Sequence, residues 1–102
     1  MTTPDILQLL LRSAEDMNPS LTSPIDIKKG ADAALFGPQG ALDSMGLVRF
    51  VGEIEAVIED ETGVSVVLAS ERAMSQRRSP FLTIGSLAAY VEALLKEQEA
   101  QA

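Results

Sequence analysis

Ile6, Leu7, Leu10, Leu11 and Ala14 fall three and four residues apart, the spacing of one face of a helix. Pro4 stands where a first helical turn tolerates a residue without an N–H, and Thr2 or Thr3 is placed to cap that turn. The pattern predicts a first helix over about 4–16. It then breaks. Through 17–42, Pro19, Pro24 and Pro38 alternate with Gly30, Gly37 and Gly40, and no regular element is expected to survive that density of breakers. A loop of this length in a compact domain is functional or tied down. Leu21, Ile25, Ile27, Leu35 and Phe36 supply apolar anchors, so this loop is expected to be ordered in part and packed over helices.

The clearest periodicity follows. Leu47, Phe50, Val51, Ile54, Val57 and Ile58 mark one face of a second helix over about 43–62, with Glu53, Glu55, Glu59, Asp60 and Glu61 largely elsewhere on the cylinder. Asp43 is the expected cap, and Gly63 the expected left-handed stop. Gly46 and Gly52 inside the helix each cost about 1 kcal/mol against Ala, for which the expected compensation is the close approach of another backbone. Val64, Val66 and Val67 look like a strand, but no second strand exists to pair with it, so 64–68 is read as an extended connector that inserts apolar side chains into the bundle. Ser70 to Met74 suits a short helical turn, and Ser75 to Pro80 a polar, basic loop. The last helix is expected over about 83–98, with Leu87, Tyr90 (or Val91), Leu94 and Leu95 as its stripe and a polar tail from Lys96 that frays. The sum is an all-α fold: a small bundle of three to four up-down helices with a long ordered loop between the first and second.

Composition narrows this picture. A chain of 102 residues suits one domain, 1–102, and with aromatics at 4% and no Trp its core must be aliphatic. The net charge of −7 makes nucleic acid and anionic lipid poor partners and favours basic patches on other proteins. The absence of Cys removes disulfides and thiolate metal sites, and the absence of His removes any Ser-His-acid triad. The start, Met1 to Asp5, has no basic region ahead of an apolar run, and no apolar stretch approaches a membrane span. The expectation is a cytoplasmic monomer without membrane insertion.

At the junction of loop and second helix stands Leu42-Asp43-Ser44-Met45-Gly46. Leu35-Phe36 precedes it, Leu47-Val48-Arg49-Phe50-Val51 continues it, and Thr83-Ile84-Gly85-Ser86-Leu87 opens the final helix. In this order the segments resemble the acyl carrier proteins over nearly the whole chain, with Asp43-Ser44-Met45 matching their Asp-Ser-Leu attachment motif. Met for Leu conserves volume and apolarity. The resemblance implies the acyl-carrier bundle with right-handed, up-down helices, and a non-catalytic carrier of acyl groups for fatty-acid, lipid or secondary-metabolite synthesis. It makes Ser44 the attachment point of 4'-phosphopantetheine, donated by coenzyme A. It makes Asp43 part of the motif, and the partners a phosphopantetheinyl transferase, acyl-loading ligases or transferases, and synthases. Met45, Val48, Arg49, Glu53, Glu55 and Glu59 become the docking positions.

The pattern has departures. Gly46 and Arg49 occupy places where housekeeping carriers have acidic residues, and the 64–81 segment, with Arg72, Arg77 and Arg78, is longer than the family's usual link. Both suggest a specialised, free-standing carrier. Three alternatives stay open. Leu42-Asp43-Ser44-Met45-Gly46 has a superficial likeness to a nucleophile elbow but lacks its first Gly and any His. An unmodified helical interaction domain would share the core and the acidic surface. An aminoacyl or peptidyl carrier would share the serine.

Overall fold

The computed structural model describes residues 3–21, 24–36, 40–68 and 81–101, without the side chains of Thr3, Ser44 and residues 98–101. The chain is a small all-α bundle. Among the described residues it forms three helices: α1 (Thr3–Met17), α2 (Ser44–Thr62) and α3 (Ile84–Gln101). Each buries the face its periodicity marks. Ile6, Leu10 and Ala14 of α1 meet Phe50, Val51, Ile54 and Ile58 of α2 and Ile84, Leu87, Val91 and Leu95 of α3 in one aliphatic core. Packing of these faces, rather than helix propensity, holds helices this short together. No helix among the described residues is long and apolar enough to cross a membrane.

The segment between α1 and α2 carries more regular structure than its breakers predict. It forms 3-10 turns at Asn18–Ser20 and Ile27–Asp32. Pro19 lies in the first turn of one, where no N–H is needed, and Gly30 takes φ 58° in the other, a left-handed conformation that costs glycine nothing. Proline and glycine thus shape short turns here. The anchors behave as expected: Ile25 and Leu35 are buried, and Leu21, Ile27 and Phe36 pack against the core.

After α2, Gly63 closes the helix in the left-handed region at φ 73°, its N–H donating to the Glu59 carbonyl at 2.8 Å. The connector then runs extended, burying Val66 and Leu68 while Ser65 and Val67 face out. That alternation is how a lone extended segment contributes to a bundle without a sheet. The expected turn at Ser70 to Met74 and the loop at Ser75 to Pro80, with Arg72, Arg77 and Arg78, lie outside the described residues.

α3 opens on a reciprocal cap. The Ser86 N–H donates to Thr83 Oγ1 at 3.0 Å, and the Thr83 N–H donates to Ser86 Oγ at 3.0 Å. The helix continues through Lys96 to Gln101 and does not stop at 98. An i,i+4 pair between Lys96 and Glu92, 2.9 Å apart, lies in that last stretch. At α1, Thr3 is already helical, and Thr2, the other candidate cap, lies outside the described residues.

The close backbone approach expected at Gly46 and Gly52 occurs elsewhere. A Cβ on Gly52 would meet nothing within 4 Å, and one on Gly46 would meet side-chain atoms of Asp43 and Leu42. The backbone crossings are instead at Gly40, where a Cβ would sit 2.5 Å from Phe36 Cα, and at Gly85, where it would sit 2.9 Å from Ala31 O. Periodicity locates a glycine on a helix, but the backbone nearby in space comes from a distant part of the chain.

Candidate functional site at the start of the second helix

The path of the loop to Ser44 is fixed by three clamps. In the first, Asn18 spans seven residues: its Nδ2 donates to the Ile25 carbonyl at 2.9 Å, and its Oδ1 accepts from the Ile25 N–H at 2.8 Å. The side-chain amide thereby satisfies both polar groups of a residue whose side chain is buried. In the second, Ala33–Leu35 pairs with the entry to α3, through Leu35 N–H to the Leu82 carbonyl at 2.7 Å and Ile84 N–H to the Ala33 carbonyl at 3.0 Å. In the third, the Leu42 N–H donates to the Leu35 carbonyl at 2.9 Å across the tight crossing at Gly40. The residue two before Ser44 is thus tied to a segment that is itself tied to α3.

Asp43 then turns the chain into α2. It has extended backbone angles, and its Oδ1 accepts from the Gly46 N–H at 2.7 Å. The Leu47 N–H, donating to the Asp43 carbonyl at 2.9 Å, begins the helical ladder. Asp43 therefore satisfies one of the orphan amides of the first turn, while those of Ser44 and Met45 have no partner within the helix. Ser44 is the first helical residue. Attachment at Ser44 needs its hydroxyl at the surface, and that side chain lies outside the described ones.

Around this start the surface is open and apolar. Met45 is 78% exposed and Val48 68%, although both are large hydrophobic side chains that the core has no use for. With Gly52 and Ala56, also exposed, they form a stripe at helical spacing along the outer face of α2. Arg49 borders it near Ser44, and Glu59 and Asp60 lie exposed towards its far end.

The acidic docking set does not share one face. Glu59 is exposed as expected. Glu53 is exposed but turned to α1, where it lines a groove of about 620 Å³ with Asp5, Arg12, Asp16 and Glu61. Glu55 is partly buried, and its Oε1 accepts from the Leu68 N–H at 3.4 Å. It holds the connector to α2 at the edge of the open face, one turn from Glu59. Sequence spacing put it off the core stripe, but only the return of 64–68 along α2 decides what it faces.

Sequence reasoning also passed over a recess of about 310 Å³ beside the first turn, lined by Ser20, Leu21, Ala41, Leu42 and Asp43 with Met45, Gly46 and Arg49. The one available signal was Gly46, which leaves this side of the helix without a side chain. Among the described residues, no group of His, Cys, Asp or Glu is placed to hold a metal ion. No family model, no curated protein and no solved structure matches the chain.

Proposed function

We propose that the protein is a carrier of acyl groups, bound as thioesters to a 4'-phosphopantetheine arm on Ser44, and that it shuttles intermediates between the enzymes of a fatty-acid, lipid or secondary-metabolite pathway. The observation that carries the reading is the place of Ser44: first residue of a helix capped by Asp43, at the end of a loop clamped to the rest of the fold. A carrier needs little more. Its serine is a substrate, so it must be held at a defined point and accept a charged adduct.

The chain supplies both. In the transfer, Ser44 Oγ bonds to the β-phosphorus of coenzyme A while the diphosphate P–O bond breaks. Adenosine 3',5'-bisphosphate leaves, and the hydroxyl proton passes to a base of the transferase. The resulting phosphodiester is an anion at a helix start, where first-turn amides that the helix itself does not engage and the positive end of the helix dipole favour it. The arm contributes a terminal thiol that forms thioesters, so a chain without Cys can still carry acyl cargo. Catalysis is left to the partners, and Met45, Val48 and Arg49 form the surface they would meet next to the cargo.

The deciding experiment is intact mass after incubation with coenzyme A and a broad-specificity phosphopantetheinyl transferase. The expected result is one phosphopantetheine added to the natural chain and none to Ser44→Ala. A folded natural chain that stays unmodified with every competent transferase leaves the interaction-domain reading, which the exposed Met45 and Val48 also support. Aminoacyl or peptidyl cargo, the other carrier reading, is separated by which ligase loads the arm.

A further inference from the structure

Resting on that reading of Ser44, we propose that the recess beside the first turn of α2 seats the proximal part of the arm, with Arg49 as counter-ion to its phosphodiester. The chemistry of the lining matches that of the arm piece by piece. Nearest the phosphodiester the arm carries a branched hydrocarbon unit and then an amide. The recess offers one cation, apolar walls from Leu21, Ala41, Leu42 and Met45, and a hydroxyl, Ser20. Ser20 Oγ donates its proton to the Met17 carbonyl at 2.8 Å, which leaves its lone pairs to accept an amide N–H.

Two residues of the site, Arg49 and Gly46, gain a role here. Arg49 is exposed and makes no salt bridge with a described residue, although the chain carries a net charge of −7. Its only acidic companion in the recess, Asp43, already engages the Gly46 amide through Oδ1. A phosphodiester beside Asp43 would be repelled, and Arg49 offsets that repulsion. Gly46 lines the recess without a side chain, and a Cβ there would press on Asp43 Oδ1 at 3.2 Å and Leu42 Cδ2 at 3.3 Å. The departures from the carrier pattern at 46 and 49 thereby become parts of one device, which parks the arm against the loop when no partner enzyme holds it.

The test compares apo and phosphopantetheinylated protein, prepared with coenzyme A and the transferase, by intact mass and by amide ¹H–¹⁵N shifts, in the natural chain and in Arg49→Gln and Arg49→Lys. Each chain is driven to complete modification, confirmed by intact mass, so that a slower reaction of the Arg49 variants with the transferase does not enter the comparison. Shift changes at Leu21, Ala41 and Gly46 should then appear in the natural chain, be at least halved in Arg49→Gln, and be largely kept in Arg49→Lys. Modification with changes confined to 43–45 overturns the seat while leaving the carrier reading intact. Changes in Arg49→Gln equal to those of the natural chain overturn the role of Arg49. A natural chain that gains no mass overturns the reading of Ser44 and the seat with it.

Discussion

Truncating Asp43 to Ala removes the acceptor that lies 2.7 Å from the Gly46 amide and leaves that N–H to water. Loss of such a cap costs about 1 kcal/mol. In a domain near this size that corresponds to a thermal midpoint lower by roughly 4–8 °C, read by circular dichroism. Asp43→Asn keeps an oxygen in the same place and is expected to melt close to the natural chain. The pair of variants separates two duties of one residue. If a transferase reads the carboxylate, Asp43→Asn loses modification rate with its stability unchanged. If it reads only the helix start, Asp43→Asn is modified as fast as the natural chain. A midpoint for Asp43→Ala equal to that of the natural chain would remove the cap from the account of how Ser44 is positioned.

Glycine behaves differently from one element to the next, and the four glycines of the helices and their crossings give a direct comparison. Gly52 lies on the exposed face of α2, where a Cβ meets nothing, so Gly52→Ala should gain about 0.5–1 kcal/mol by lowering the entropy of the unfolded chain. Gly85 is pressed by Ala31 at 2.9 Å, and Gly85→Ala should lose about 1–3 kcal/mol through overpacking. Urea unfolding of both variants checks the signs, and a destabilised Gly52→Ala would reveal a contact on that face. The contrast also shows where sequence reading reached its limit. The helices, their buried faces, the Asp43 cap and the Gly63 stop follow from spacings of three to four residues, because those interactions are local. Glu55 bonding to Leu68, Asn18 clamping Ile25 and the recess under Gly46 join residues brought together by the loop and the connector, and no local pattern encodes them. The start of the site was therefore legible, while its walls were not.

Across the whole molecule the charge is one-sided: 15 acidic residues stand against 8 basic ones. Part of that excess faces itself. Asp5 and Asp16 on α1 and Glu53 and Glu61 on α2 line the same groove, with Arg12 the cation among its lining residues. Such faces repel across water, and the repulsion opposes packing of α1 on α2. Raising the salt from about 0.01 M to about 0.15 M shortens the Debye length from about 30 Å to about 8 Å and should screen it. The midpoint of thermal unfolding is therefore expected to rise with salt over this range, whereas a fold held by surface ion pairs would lose stability. Replacing Glu53 and Glu61 together by Gln should raise the midpoint at low salt and flatten its salt dependence, because the repulsion being screened is then smaller. A midpoint that falls with salt, or a double variant with an unchanged slope, would mean that these carboxylates are far enough apart, or well enough solvated, to ignore one another. The same screening acts in the opposite direction on association. If the acidic surface steers this chain to basic partners, its modification by a basic transferase slows with salt while the fold itself becomes firmer, so the two effects are separable in one titration.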